Sequence, residues 1–237
     1  MVKNKMNTGT PSPAVKKKGQ AIYAILDKRY GTPEWRDPLP AVDELVSTIL
    51  SQNTNDVNRD RAFDNLRAVF PTWEAVRDAP EDEVVEAVRI AGLANQKGPR
   101  IQKVLRQITE ERGGITLEFL RDMERAEAHH WLTSQKGVGP KTAAIVLQFS
   151  LGVPAFPVDT HVYRVSGRTG IRPGKMSVEK AHAWLEKVFT PEQYGPGHLN
   201  IIRHGREVCH ARKPDCEFCP LTHLCDYFKK PKADGSS

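Results

Sequence analysis

Helical periodicity is the sequence feature that most constrains the fold of this chain. Apolar residues recur three and four positions apart along most of its 237 residues, whereas the alternating pattern of a half-buried strand is nearly absent. The predicted helices are Gln20–Tyr30, Pro40–Leu50, Asp56–Phe70, Thr72–Asp78, Glu81–Ala91, Ile101–Glu111, Thr116–Met123, Arg125–Ser134, Pro140–Leu151, Asp159–Gly167, Val178–Phe189 and Gly197–Val208. The sequence therefore predicts an all-α fold with short connecting loops.

The charge balance favours a polyanionic partner without proving one. Lys and Arg total 35 against 29 Asp and Glu, which gives a formal net charge of +6. No apolar run approaches the roughly 20 residues that a membrane-spanning helix needs, so we expect no membrane partner.

The first eighteen residues are predicted to form a disordered basic tail. They lack the apolar centre of a secretory signal and carry lysines among Thr, Ser and Pro, namely Lys3, Lys5, Lys16, Lys17 and Lys18. We therefore expect an intracellular protein, in which paired disulfides are uncommon.

All four cysteines lie in one short segment with the spacing Cys-x6-Cys-x2-Cys-x5-Cys; they are Cys209, Cys216, Cys219 and Cys225. An intracellular chain disfavours structural disulfides, although the even number of cysteines would permit them. Two cysteines separated by two residues suit tetrahedral zinc, and a [4Fe–4S] cluster is also held by four thiolates. Ligand type and number alone leave these two metal centres open.

A glycine-rich turn separates two of the predicted helices. Gly137, Val138 and Gly139 precede Pro140, which suits the first position of a helix because no amide donor is lost there. The glycines let the backbone approach another molecule closely, and amides at a helix start can hold a phosphate. Ordinary helix connections have the same pattern, so the turn by itself does not establish nucleic-acid binding.

Two charged residues stand at predicted helix starts. Lys141 follows Pro140, where the helix dipole disfavours an ammonium, and a neutral amine there can act as a nucleophile. Most lysines are nevertheless only solvated surface charges. Asp159 is a good helix N-cap, and its carboxylate can also stabilise positive charge on a reacting group. His161 is expected to be a packed histidine bonded to the backbone rather than a proton shuttle.

Three segments together resemble the endonuclease III family of helix-hairpin-helix DNA glycosylases. They are Gly137–Ala143, Phe156–Arg164 and His204–Cys216, and the resemblance extends from about Leu45 to Tyr227. It implies an all-α fold of two helical lobes around a DNA-binding cleft. The implied domains are a six-helix barrel with the hairpin at residues 34–153 and an iron–sulfur domain at residues 19–33 and 154–237, after the tail at residues 1–18.

The resemblance also implies a bifunctional DNA glycosylase and AP lyase of base excision repair. Such an enzyme excises oxidised pyrimidines and then cleaves the abasic strand by β-elimination. Lys141 matches the lysine that forms the Schiff base, and Asp159 matches the catalytic aspartate. The implied partner is double-stranded DNA containing damaged bases or abasic sites, bound by a monomer.

Further residues acquire roles from the same resemblance. The four cysteines would hold a structural [4Fe–4S] cluster, and the loop between the first two would present Arg212 and Lys213 to phosphates. Leu93 matches an apolar wedge, and either Gln52 or Asn53 would fill the gap left by an extruded base. The turn that includes both glycines would contact the DNA backbone.

Two alternatives remain at this stage. The first is a monofunctional mismatch glycosylase of the same fold, although such relatives typically lack the lysine at position 141. The second is a non-catalytic DNA-binding module that uses only the hairpin and the cysteine-rich loop. The second alternative leaves Lys141 and Asp159 unexplained as a pair.

Overall fold

The computed structural model describes residues 9–33 and 38–229, and all regular secondary structure in these ranges is helical. The α-helices are α1 Pro13–Tyr30, α2 Ala41–Leu50, α3 Asp56–Val69, α4 Trp73–Asp78, α5 Glu81–Ala87, α6 Ala94–Arg112, α7 Arg125–Ser134, α8 Pro140–Ile145, α9 Thr160–Thr169, α10 Val178–Glu186, α11 Tyr194–Glu207 and α12 Asp226–Lys229. Short 3₁₀ segments lie at Arg89–Ala91, Glu118–Asp122, Pro191–Gln193, Cys216–Phe218 and Thr222–Leu224, and α8 continues into a π-helical turn, Val146–Ser150. The prediction of an all-α fold is confirmed.

The first helix begins earlier than the sequence analysis predicted. The Ser12 hydroxyl accepts a hydrogen bond from the amide of Val15 at 3.3 Å, and Pro13 occupies the first helical position. This cap and the pre-set φ of proline start α1 at Pro13 rather than Gln20. The prediction of a disordered tail was therefore wrong for residues 13–18, and residues 1–8 lie outside the described part of the chain.

Helix α6 also starts before its predicted residue, Ile101. It includes Gly98 and Pro99, both poor helix formers, near its amino-terminal end. A Cβ at position 98 would lie 2.9 Å from a methyl group of Val85 on α5. Glycine therefore permits the close packing of α6 against α5, and this tertiary contact outweighs the low helix propensity.

The chain divides into two compact units. The central lobe is Arg36–Val153, and the terminal lobe joins Met1–Trp35 to Pro154–Ser237. Each lobe has its own buried apolar core. The central core includes Leu45, Ile49, Leu66, Ile101 and Leu105, and the terminal core includes Ile22, Leu26, Phe156, Val162 and Leu185.

In the terminal lobe, Phe156 packs against two other aromatic rings. Its ring stacks on Phe189 at 5.0 Å between centroids and meets Tyr194 edge-on at 5.7 Å. Burial of such rings dominates core energetics.

Among the described helices, none has the length and apolar character needed to span a membrane.

Candidate functional site

The glycine-rich turn of the central lobe forms a tight hairpin between α7 and α8. The amide of Val138 donates to the carbonyl of Gln135 at 3.0 Å, and Val138 itself is buried. Gly137 has a φ of +93°, which favours glycine. Gly139 caps α8, and Pro140 begins it. The predicted helix–hairpin–helix geometry is thus present, and Lys141 is the second residue of α8, half-buried.

Two side chains brace this hairpin from within the central lobe. Gln52 donates from Nε2 to the carbonyl of Gly137 at 3.5 Å, and Arg100 donates from Nη1 to Oε1 of Gln52 at 2.6 Å. The aliphatic part of Arg100 occupies the space that a Cβ at position 137 would need. Gln52 is therefore engaged in holding the turn. Arg100 was not singled out in the sequence, where it is one arginine among many.

Asn53 and Leu93 lie on exposed loops of the same lobe in an unusual backbone conformation. Their φ angles are +53° and +51°, and Leu93 is 48% exposed. Left-handed backbone costs most residues other than glycine roughly 1–2 kcal/mol, and it costs asparagine less. Among described residues, only Lys213 shares this feature outside glycine, with φ of +48°. All three were predicted DNA contacts, and backbone strain of this kind tends to concentrate at functional sites.

Asp159 caps helix α9 of the terminal lobe. Its Oδ1 accepts a hydrogen bond from the amide of Val162 at 2.7 Å. The N-cap role predicted from the sequence is therefore present, and it fixes the orientation of the carboxylate. Since the second oxygen is not needed for the cap, the same carboxylate can also act on a substrate.

His161 is packed against the arginine one turn further along α9. Arg164 donates from Nη2 to Nδ1 of His161 at 3.0 Å, so the imidazole accepts at that nitrogen. Burial lowers the pKa of His161, opposed in part by the negative charge of Asp159. A neutral, packed imidazole matches the expectation for this residue better than a proton shuttle does.

Helix α9 also holds the cysteine-rich loop in place. Arg164 donates from Nε to the carbonyl of Cys209 at 2.9 Å. Arg168 donates to the carbonyls of His210 and Ala211 at 2.6 and 2.9 Å, and to Sγ of Cys209 at 3.2 Å. Sequence reasoning missed both arginines. Their helical spacing places them on the helix face that also carries His161, and this pattern could have indicated their role.

The four cysteines line one cavity in the terminal lobe. All four are free thiols, so the disulfide alternative does not hold. Burial raises the pKa of the Cys219 thiol. In the described ranges, no group of three His, Cys, Asp or Glu residues is arranged to hold a single metal ion. Four sulfur donors that line one cavity are the donor set that an iron–sulfur cluster requires.

Arg212 and Lys213 project from the loop between the first two cysteines. Both side chains are exposed. The loop beside them is held by the Arg168 hydrogen bonds to His210 and Ala211. This support reduces the ordering cost of an electrostatic contact made by either side chain.

Comparison with known proteins gives consistent matches. The model of the HhH-GPD superfamily base excision DNA repair proteins matches residues 46–191. A relative from Arabidopsis thaliana, named as a candidate DNA glycosylase, is 36% identical over 172 residues, which are 73% of this chain and 59% of that protein. Endonuclease III of Thermotoga maritima is 32% identical over 186 residues, 78% of this chain and 83% of that enzyme.

A solved structure shows the same fold. A trapped covalent intermediate of endonuclease III with DNA has a TM-score of 0.78 and 29% identity, with 90% of this chain and 97% of that chain covered. Helices, hairpin and cysteine-rich loop together are those of a helix-hairpin-helix base excision repair protein. The chain belongs to the HhH-GPD superfamily and, within it, to the endonuclease III family.

Proposed function

We propose that the protein is a bifunctional DNA glycosylase and AP lyase that acts on oxidised pyrimidines through Lys141. The observation that carries this proposal is the pair of helix starts: Lys141 in the first turn of α8, directly after the hairpin, and Asp159 as the N-cap of α9. Membership in the endonuclease III family supports the reaction class. A DNA-repair role also supports an intracellular location.

The proposed reaction begins with the neutral amine of Lys141. Its nitrogen forms a bond to C1′ as the N-glycosidic bond breaks, and the base leaves with the bonding electron pair and takes up a proton. The amine then loses a proton, and the C1′–O4′ bond opens to give an imine. Removal of a proton from C2′ breaks the C3′–O3′ bond and releases the downstream strand, which leaves with a phosphate at its 5′ end. Water then hydrolyses the imine, which frees Lys141 from the unsaturated sugar. The Asp159 carboxylate stabilises the positive charge that develops at C1′.

Extrusion of the base needs groups that fill the gap in the duplex. We assign this role to Asn53 and Leu93, because both are exposed on strained loop tips of the central lobe. Gln52 is the weaker candidate, since its side chain amide is bonded to Arg100 and Gly137. The hairpin backbone, Gly137 to Gly139, would contact a phosphate.

The four cysteines would hold a [4Fe–4S] cluster, with Arg212 and Lys213 presented to the DNA backbone. When bound, the cluster supplies a rigid frame for the loop, and it leaves no ligand position for substrate because cysteine fills all four. Brown protein with about four iron atoms per chain is expected. Colourless protein with stoichiometric zinc would contradict the assignment. Cys216→Ser should lower iron content and DNA affinity together.

A monofunctional glycosylase is the nearest alternative. It would use water as the nucleophile and leave an intact abasic site. A DNA-binding module without catalysis is the other alternative, and it would neither release a base nor cleave a strand. Lys141 distinguishes the three functions, because only the bifunctional enzyme forms a covalent bond through its amine.

Reductive trapping tests the proposal. Borohydride reduces an imine to a stable amine, so the native protein should become permanently joined to duplexes that carry an oxidised pyrimidine or an abasic site. The cross-link should map to Lys141. A protein that releases bases without trapping would be monofunctional, and one that only binds would be a DNA-binding module.

Lys141→Gln provides the matched control. It should bind the same duplexes, because the hairpin amides and the Arg212–Lys213 loop remain, but it should neither trap nor cleave. Lys136→Gln, four residues before the start of α8 and in the same turn, should trap normally. Trapping that persists in Lys141→Gln would assign the nucleophile to another amine.

A further inference from the structure

A buried lysine links the bases of the two loops that carry Asn53 and Leu93. Lys97 on α6 is only 1% exposed. Its Nζ donates two hydrogen bonds, each of 2.8 Å, to the carbonyls of Leu50 and Ala91. All five residues belong to the central lobe.

The two carbonyls that Lys97 binds stand at helix ends. Leu50 is the last residue of α2, and Ala91 is the last residue of the 3₁₀ segment that precedes α6. Carbonyls at helix ends lack partners within the helix and carry partial negative charge, which a cation satisfies. Asn53 follows Leu50 by three residues, and Leu93 follows Ala91 by two. One ammonium group therefore fixes the separation between the bases of both loops.

The buried position of Lys97 is unfavourable for a charged side chain that has no function. Burial and the nearby charge of Arg100 lower the pKa of Lys97. A buried ammonium is tolerated only when it is well hydrogen-bonded, and an apolar side chain of similar volume often stabilises a core equally well or better. The need for two donors at this point explains why a lysine occupies it.

We propose that Lys97 is a positioning residue for base extrusion. It holds the loops of Asn53 and Leu93 at a fixed separation, so that both side chains enter the duplex together. Both loop tips are in strained left-handed conformations that persist only when the surrounding structure determines them. The inference rests on the proposed function, because it assigns Lys97 to the gap-filling step.

Lys97→Met removes the two donors and keeps an unbranched side chain of similar length. Gln102→Met is the matched control, because Gln102 lies on the same helix and is also 1% exposed. Its Nε2 donates to the carbonyls of Val76 and Ala79, at 3.0 and 2.8 Å, at the end of α4. Both variants lose a buried bridge between carbonyls, but only Lys97→Met loses the bridge between the two loops. Both should unfold at a lower temperature than the native protein.

Excision is then measured in single turnovers on two substrates with the same lesion. In one the lesion lies in a fully paired duplex, and in the other it lies in an unpaired bubble, where extrusion costs least. Lys97→Met should lose activity on the paired duplex by a factor on the order of 10², as expected for a misplaced group, and much less in the bubble. Gln102→Met should affect both substrates equally. Equal losses for Lys97→Met, or the same selective loss for Gln102→Met, would overturn the proposal.

A second measurement does not depend on the chemistry. The fluorescence of 2-aminopurine opposite the lesion rises when its stacking is disturbed, and the native protein should raise it. Lys97→Met should bind the duplex without this rise, and a native-like rise would overturn the role of Lys97. If the native protein raises fluorescence but never excises a base, the proposed function fails while this inference can still be judged.

Lys97→Gln replaces the methionine variant if the latter does not fold. An amide offers two N–H donors, and Gln102 shows that such a group can bridge two carbonyls on α6. This variant should retain part of the fluorescence rise and lose activity mainly on the paired duplex. A loss of equal size on both substrates would overturn the proposal.

Discussion

Arg100 donates a hydrogen bond to the side chain of Gln52 at 2.6 Å, directly beneath the hairpin. This contact separates the roles of two adjacent residues that the sequence left equivalent. Gln52 supports the turn through Gly137, whereas Asn53 lies exposed on the loop tip.

Substitution of each residue should therefore have a different consequence. Gln52→Ala removes the partner of the Arg100 guanidinium and should destabilise the protein by about 1–3 kcal/mol, measured by denaturant unfolding. Asn53→Gly relieves the left-handed backbone and should leave stability equal or higher, but it should slow excision from paired duplexes. Normal excision by Asn53→Gly, together with unchanged stability in Gln52→Ala, would reverse these assignments.

The capping and chemical roles of Asp159 can be separated by two substitutions. Asn is as good an N-cap as Asp, so Asp159→Asn should keep the stability of α9 but slow excision by a factor on the order of 10²–10³. Asp159→Ala should slow excision by the same factor and should also reduce the free energy of unfolding by about 1 kcal/mol. Rates come from single turnovers and stabilities from thermal unfolding. Near-normal turnover in Asp159→Asn would leave this residue with its capping role alone.

Arg212 and Lys213 should contribute to affinity through phosphates rather than bases. Replacing both with alanine should reduce the slope of log affinity against log salt by about 0.9 for each lost contact. Lys180→Ala, on the exposed side of α10, serves as the control and should not change the slope. If the double variant keeps the native slope, the two charges are ordinary solvated surface groups.

His161 should make the protein less stable in acid. Burial lowers its pKa in the folded state, so the unfolded chain takes up a proton at a higher pH than the folded chain. The stabilising contribution is complete above the ordinary value of about 6.5 and is lost as pH falls through the lower folded pKa. Asp159, Arg164 and Arg206 are the charged groups that influence His161.

The His161→Gln variant checks this pH dependence. Its amide oxygen can still accept from Arg164, but it does not titrate. Thermal unfolding midpoints between about pH 7.5 and pH 5 should fall less steeply for the variant than for the native protein. The pH profile of excision should keep its shape. A changed profile with an unchanged stability slope would assign proton transfer to His161.

Much of this protein could be predicted from short stretches of sequence, because the responsible interactions are local. The repeat of apolar residues determined the helical class, since the periodicity of side chains follows from backbone geometry. Asp159 caps α9 through the amide three residues away, and Gly137 adopts a backbone conformation that suits glycine. The family resemblance could be identified for the same reason, because each of the three segments that carry it is continuous in sequence.

Only the tertiary structure decided which side chains meet across long separations in sequence. Lys97 binds the carbonyl of Leu50, which lies 47 residues earlier in the chain, and Arg168 binds Cys209, which lies 41 residues later than Arg168. Such contacts depend on which helix-end groups lack hydrogen-bond partners after the helices have packed. The local sequence does not predict which groups these are. The choice between Gln52 and Asn53 has the same origin, since Arg100 reaches only one of them. Local sequence preferences therefore determined the helices and their caps, whereas tertiary packing determined which side chains form the contacts between them.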